Sequence, residues 1–210
     1  SPTWSPEGQQ IAFVRQAAQE AFARVWLVHL VDGHYSPLFP DAAIYGSAAL
    51  WSPEGRRISG YDPAWKLIRI LDLETNQSTP INTNAQTAGS WSSDGRHFFY
   101  VDLDKSTLPP RGMAYQVEMG SGMVTPLFTS GAADLDYSLP VPSPDGQTFL
   151  VGRRLLVGSH SIQLWLLNAD ASQEQVISAD FLSTRGAYSW DAAGERVVYQ
   201  QLALGSSRAQ

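Results

Sequence analysis

Cysteine is absent from this 210-residue sequence, and lysine occurs only at positions 66 and 105. Without cysteine the chain has no disulfide, no thiolate nucleophile and no cysteine-ligated zinc site. The longest apolar run, residues 25–31, is interrupted by His29 and is too short to cross a bilayer, so we expect no membrane insertion. The scarcity of lysine and a formal net charge of −6 argue against a nucleic-acid partner.

Motifs that carry catalysis or bind cofactors are also missing from the sequence. It contains no Gly-x-Ser-x-Gly nucleophile elbow, no Gly-x-x-x-x-Gly-Lys phosphate loop and no Gly-x-Gly-x-x-Gly dinucleotide fingerprint. The four histidines do not stand at spacings that hold a metal ion, such as His-x-His or His-Glu-x-x-His. We therefore predict no catalytic residues, no metal site and no cofactor, and we expect a chain that is not an enzyme.

An internal repeat dominates what the sequence does contain. Apolar residues make up 43% of the chain and charged residues 16%, a globular composition within which a five-residue motif recurs. The five copies are Trp4-Ser5-Pro6-Glu7-Gly8, Trp51-Ser52-Pro53-Glu54-Gly55, Trp91-Ser92-Ser93-Asp94-Gly95, Pro142-Ser143-Pro144-Asp145-Gly146 and Trp190-Asp191-Ala192-Ala193-Gly194. Successive glycines are 47, 40, 51 and 48 residues apart, a period typical of propellers and solenoids.

Each copy has the composition of a tight hairpin turn. Ser or Asp opens a type I turn, Pro presets φ at the second position, and Gly accepts the left-handed conformation at the end. An apolar strand follows each turn, then a second apolar run, a polar turn and a short fourth segment. Pro37, Pro80 and Pro126 lie in that fourth segment, and proline is tolerated in a sheet at an edge strand. The pattern therefore predicts four antiparallel strands per repeat, with the fourth outermost.

These residues carry a family resemblance. Trp-Ser-Pro-Asp/Glu-Gly, followed by an apolar strand and by a strand such as Ile68-Arg69-Ile70-Leu71-Asp72-Leu73, resembles the WD40-like propeller repeat of TolB and its relatives. The resemblance implies an all-β fold, a β-propeller of four-stranded antiparallel blades. The first copy of the motif begins near the start of the chain and the fifth near its end, so the resemblance covers nearly all of it.

The repeat predicts one propeller domain with four complete blades and part of a fifth. We place the blades at about residues 1–40, 41–83, 84–129 and 130–179, with a partial blade at 180–210. Four and a half blades cannot close a ring, so we expect this chain to be a portion of a six- to eight-bladed propeller. Self-association that closes the ring is the alternative if the chain is not a fragment.

Propeller geometry also predicts where binding residues lie. The short turns share one end of the blades, and longer loops, at about residues 15–24, 61–66, 101–112 and 152–161, share the other. Variable loops on a rigid scaffold carry most binding residues, and aromatic and arginine side chains dominate binding hot spots. The predicted contact residues are therefore Tyr61, Asp62 and Trp65, with Arg153 and Arg154 two blades away.

Three functions fit this description. The first is a non-catalytic protein-binding scaffold in an extracytoplasmic or envelope-associated assembly, as the TolB resemblance implies, with a periplasmic or extracellular location and the bacterial cytoplasm as the alternative. The second is the propeller of a serine peptidase of the prolyl oligopeptidase or tricorn type, whose catalytic domain lies outside this chain. The third is the sensor domain of a regulator. Fold alone does not choose among them, and the first is our preferred hypothesis because no catalytic motif is present.

Overall fold

The chain folds into small antiparallel sheets that follow one another along the sequence. A computed structural model describes residues 2–16, 18, 23–38, 49–62, 65–83, 89–129, 135–155, 162–181 and 188–200. None of these residues is helical, so the described part of the chain holds no helix that would cross a membrane. The predicted all-β class is confirmed.

Four successive sheets have the order of a propeller blade, and a fifth has two strands. Blade 1 contains β1 (Thr3–Trp4), β2 (Gln10–Arg15), β3 (Arg24–His29) and β4 (Tyr35–Pro37). Blade 2 contains β5 (Leu50–Trp51), β6 (Arg57–Asp62), β7 (Leu67–Asp72) and β8 (Gln77–Asn82). Blade 3 contains β9 (Ser90–Trp91), β10 (His97–Asp104), β11 (Arg111–Glu118) and β12 (Val124–Pro126). Blade 4 contains β13 (Leu135–Tyr137), β14 (Val141–Pro142), β15 (Thr148–Leu155), β16 (Ile162–Asn168) and β17 (Glu174–Phe181), and blade 5 contains β18 (Tyr188–Trp190) and β19 (Val197–Tyr199).

The proline-bearing strands lie at sheet edges, as the sequence predicts. In blades 1 to 3 each strand pairs with the next one in the chain, so β4, β8 and β12 each have a single partner. Pro37, Pro80 and Pro126 lie in these three strands. A proline has no N–H to donate, and an edge strand needs no donor on its outer side.

The repeated turn is built by its serine and glycine. In the second copy the Gly55 N–H donates to the Ser52 carbonyl at 2.9 Å, and Gly55 has a φ of 73°, which a side chain would strain. The buried Ser52 hydroxyl oxygen accepts the Arg57 N–H at 2.8 Å. Corresponding serine bonds form at Ser5, Ser92 and Ser143. The motif therefore closes each hairpin by local hydrogen bonds, and the predicted turn is confirmed.

Apolar cores lie between neighbouring blades. Strand side chains alternate, so one side of a blade packs on the preceding blade and the other side on the following blade. Between blades 2 and 3, for example, Ile68 and Ile70 pack with Phe98, whose ring lies edge-on to Trp91 at a centroid distance of 4.9 Å. Three further cores join blade 1 to blade 2, blade 3 to blade 4 and blade 4 to blade 5.

Two of the motif tryptophans donate a hydrogen bond to the preceding blade. The Trp51 ring N–H donates to the Thr3 carbonyl at 3.3 Å, and the Trp190 ring N–H donates to the Val141 carbonyl at 3.2 Å. Trp4 differs, because its side chain is 62% exposed. Among the described residues no blade packs against this side of blade 1. A larger ring of six to eight blades stays a prediction.

Blade 4 departs from the simple four-strand pattern. Its innermost strand is divided, and both parts, β13 and β14, pair with β15. Between them the Ser138 N–H donates to the Gly152 carbonyl at 2.8 Å, and the Ser138 hydroxyl oxygen accepts the Gly152 N–H at 2.7 Å. This pairing extends the blade 4 sheet to residues 153–155, at the end of β15 that leads to β16.

Candidate functional site: the loop face

The two ends of the blades differ in their connections. We call the end where the second strand of a blade meets the third the loop face, and the opposite end, which carries the motif turns, the turn face. On the loop face the structure describes residues 15, 16, 18, 23, 24, 62, 65–67, 104–111, 135, 136 and 153–155. Because strands in a blade are antiparallel and sequential, all four connections of this type lie at the same end. The predicted contact residues belong to this end of blades 2 and 4.

Tyr61 and Asp62 lie in strand β6, close to its end. Tyr61 is 5% exposed and packs in the core between blades 2 and 3. Burial, and then the neighbouring Asp62 charge, raise the pKa of Tyr61, so its hydroxyl stays protonated at neutral pH. The Asp62 side chain is fully buried, and its carboxylate accepts a bond from the Arg69 Nε at 3.2 Å. The two side chains thus support the hairpin from inside the blade.

Trp65 lies at the tip of that hairpin and is 69% exposed. Its backbone N–H donates to the Asp62 carboxylate at 3.3 Å, which joins the exposed tip to the buried ion pair. The next residue, Lys66, has a φ of 52°, the left-handed conformation, and its carbonyl accepts the Thr83 N–H at 3.2 Å. The Thr83 hydroxyl donates to the Val101 carbonyl of blade 3 at 2.7 Å. These hydrogen bonds therefore fix the backbone from which the Trp65 side chain projects.

Arg153 and Arg154 lie in strand β15 and have different partners. The Arg153 guanidinium lies 3.4 Å from the centroid of the Trp165 ring and donates to Glu174 at 2.8 Å, and its side chain is 11% exposed. Arg154 donates to the Asp136 carboxylate at 2.7 Å. Asp136 also accepts the Gly112 N–H at 2.6 Å, which joins blade 4 to blade 3. Both arginines thus hold neighbouring elements together.

The structure brings part of the predicted site together. Tyr61, Asp62 and Trp65 form one cluster in blade 2, whereas Arg153 and Arg154 lie two blades away. The loop boundaries predicted from the sequence are wrong for four of these residues, because strands β6 and β15 continue through 61–62 and 153–155. Cross-strand pairs Asp62–Leu67 and Arg153–Gln163 extend the hairpins beyond the predicted strand ends. The binding role of these residues stays a prediction.

Sequence reasoning missed a row of aspartate–arginine pairs along the loop face. Asp104 accepts a bond from the Arg111 Nε at 3.1 Å, and the two partners are seven residues apart, as Asp62 and Arg69 are. Arg111 lies directly opposite Asp104 in its hairpin, whereas Arg69 lies diagonally from Asp62. Hydrogen bonds from the Ser106 hydroxyl and N–H, and then from Arg111, lower the pKa of Asp104. The shared seven-residue spacing across a hairpin is the sequence signal that would have revealed these pairs.

A polar cluster between blades 4 and 5 consists of hydroxyl groups that hydrogen-bond to each other and to the backbone. The Ser138 hydroxyl lies 2.7 Å from the Tyr188 hydroxyl, which donates to the Leu139 carbonyl. Burial raises the pKa of Tyr188 to about 12, so this phenol is no general base at neutral pH. Within the described ranges no three His, Asp or Glu side chains are grouped to hold a metal ion.

Comparison with known proteins places the fold. No family model matches the chain, and no curated protein matches it. Among solved structures it is similar to TolB from Acinetobacter baumannii, with 21% identity and a TM-score of 0.69 over 97% of this chain and 48% of that one. It is also similar to the β-propeller domain of the Trilobed protease from Pyrococcus furiosus, with 19% identity and a TM-score of 0.62 over 84% of this chain and 55% of that one.

A third similar structure is an oligogalacturonate lyase from Vibrio parahaemolyticus, with 15% identity and a TM-score of 0.68 over 92% of this chain and 56% of that one. The chain thus spans about half the length of these proteins. At such identities the likeness concerns the fold, which these proteins combine with different functions. The described blades have the TolB-like β-propeller fold.

Proposed function

We propose that this chain is a non-catalytic protein-binding scaffold and that its partner binds the loop face. The observation that carries the proposal is the exposed Trp65 side chain on a backbone whose N–H is hydrogen-bonded to the buried Asp62 carboxylate, the partner of Arg69. A partner gains affinity when the residue it binds is already fixed, because less side-chain and loop entropy is lost on association. Tryptophan is among the residues most enriched in binding hot spots.

In this proposal each of the five predicted residues either contacts the partner or positions a residue that does. Trp65 is the first contact, since its ring is largely exposed. Tyr61 and Asp62 are positioning residues, because their side chains are buried beneath the hairpin. Arg154 keeps a third of its side chain exposed beside Asp136 and adds a polar contact at the far end of the face, and Arg153 orders the same strand.

The proposal also specifies the kind of assembly that the chain joins and the compartment in which it works. We propose an extracytoplasmic or envelope-associated assembly and a periplasmic or extracellular location, with the bacterial cytoplasm as the alternative. The support is the similarity to TolB from Acinetobacter baumannii, of which this chain spans 48%.

Site-specific cross-linking in cells tests the binding face. A photoreactive amino acid replaces Trp65 in one variant and Val31 in another, since Val31 is 89% exposed on the turn face and serves as the matched control. We expect a discrete protein adduct from position 65 and none of the same mass from position 31. Adducts of the same protein from position 31 alone would contradict the proposal.

A second candidate is the propeller of a peptidase. It is favoured by the similarity to the propeller domain of the Trilobed protease and to a prolyl endopeptidase, the latter with 14% identity and a TM-score of 0.61 over 85% of this chain and 29% of that one. Assays with peptide substrates on the protein as cells produce it distinguish the two. Peptide hydrolysis that a serine substitution in a separate domain abolishes would support the peptidase, and no hydrolysis would support the scaffold.

A further inference from the structure

One position in the outer strand distinguishes blade 4 from blades 1 to 3. It is the position that pairs with the same place in the neighbouring strand of each blade, namely with Trp26, Arg69, Tyr115 and Trp165 in blades 1 to 4. The residue at this position is a proline in blades 1 to 3, namely Pro37, Pro80 and Pro126. In blade 4 it is Val176, in the middle of β17.

The backbone N–H of Val176 points away from its own blade. The Gln173 carbonyl accepts the Asn168 N–H at 3.3 Å, so residue 173 is a hydrogen-bonded position at the start of the ladder between β16 and β17. Such positions alternate in antiparallel strands, so Gln175 also bonds to β16 and the backbone groups of Val176 point outward. The prolines of blades 1 to 3 agree with this, because a residue without an N–H fits only where the ladder needs no donor.

Strand β17 is open to a further strand along residues 174–176. Among the described residues its only sheet neighbour is β16. Proteins block such edges with proline, charge or a bulge. Here Val176 is 43% exposed, the carboxylate of Glu174 is paired with Arg153 at 2.8 Å, and a register shift ends the regular pairing only after Val176. The regular segment therefore keeps outward donors that the prolines remove in the other blades.

We propose that β17 pairs with β17 of a second copy of this chain, antiparallel and with a two-fold axis at Gln175. In this register Glu174 lies opposite Val176 of the second copy, and the outward backbone groups of the two residues exchange hydrogen bonds. No carboxylate lies directly opposite another, so the segment is complementary to itself, as a two-fold interface requires. A single pair of strands is a small interface, so the dimer forms increasingly as the protein concentration rises.

Disulfide trapping tests this pairing cleanly because the chain contains no cysteine. Across the two-fold axis the residues at position 175 form a non-hydrogen-bonded pair, whose Cα atoms lie about 4.5 Å apart, within disulfide range. On oxidation Gln175→Cys should therefore give a disulfide-linked dimer of this chain. The matched control is Thr79→Cys, at the corresponding exposed position beside Pro80, which should stay monomeric.

Val176→Pro tests whether the outward N–H is the group that permits the pairing. This substitution gives blade 4 the residue that blades 1 to 3 carry, so the protein should stay folded, as urea unfolding checks. Oxidation of the double variant Q175C/V176P should yield little of the dimer that Gln175→Cys gives. Sedimentation velocity of the unaltered protein should show the mass of the dimer appearing with rising concentration, whether or not the proline variant folds.

Three results would overturn the proposal. The first is a protein that sediments with the mass of one chain at every concentration and whose Gln175→Cys variant forms no dimer. The second is equal disulfide formation by Thr79→Cys or by a folded Q175C/V176P variant, which would indicate random collision. The third is a disulfide between Gln175→Cys and a different protein in cells without any dimer, which would make a strand of a partner protein the occupant. The loop face takes no part in this pairing, so none of these results bears on the proposed function.

Discussion

Replacement of Asp62 is the perturbation whose cost the structure predicts most directly. Its buried carboxylate pairs with Arg69 and accepts the Trp65 N–H. Removing one member of a buried ion pair costs about 3 to 5 kcal/mol when the other charge stays buried. The Arg69 side chain is 25% exposed, so water partly rehydrates it, and we expect Asp62→Ala to lower the free energy of unfolding by about 2 to 3 kcal/mol.

Urea unfolding followed by tryptophan fluorescence measures this loss. Asp62→Asn keeps an oxygen that can accept the Trp65 N–H, so it should lose less stability than Asp62→Ala and keep more of the binding affinity. The matched control is Glu74→Ala, which removes the mostly exposed partner of Arg56 and should cost less than about 1 kcal/mol. Equal effects of Asp62→Ala and Glu74→Ala would refute the idea that a buried pair supports the Trp65 hairpin.

Two further predictions concern the fold. Gly89→Ala should lower the free energy of unfolding by about 2 to 5 kcal/mol, because a Cβ there would lie 2.0 Å from the Phe98 ring. Gly146 has a similar positive φ but open space around it, so Gly146→Ala should cost only about 1 to 2 kcal/mol. Equal losses of the two variants in urea unfolding would refute the clash. Serine hydroxyl bonds lower the pKa values of Asp94 and Asp145 in the folded chain below 3.8, so their stabilisation is complete above about pH 5 and is lost as pH falls through the lowered pKa values. Asp94→Asn should therefore reduce the drop in unfolding free energy between about pH 6 and pH 3, and an unchanged drop would contradict this assignment.

The blade pattern is predictable from the sequence because its causes are local. Residues 52–57 contain all the groups that close the second turn, including the left-handed Gly55 and the Arg57 N–H that bonds to Ser52. The position of Pro80 in an edge strand follows from its missing N–H. Such features need no information from other blades, and here the prediction and the structure agree.

The candidate site is less predictable because burial there depends on the following blade. Tyrosine is a residue type that is common at exposed contacts, yet Tyr61 is buried in a core with Phe98 and Tyr100 of blade 3. Arginine is common in exposed loops, but Arg153 lies in strand β15, where pairing with Gln163 of β16 brings its guanidinium over the Trp165 ring. Of the five predicted contact residues, only Trp65 is largely exposed at the loop tip where it was expected, because its hairpin ends beyond the interblade core.

Amide hydrogen exchange of the protein, alone and saturated with the partner identified by cross-linking, tests the loop-face scaffold most directly. We expect slower exchange on binding at residues 65–67 and 105–111, with no change at the turns 30–34 and 119–123. Protection confined to the turn-face segments, with residues 65–67 and 105–111 unchanged, would contradict the account.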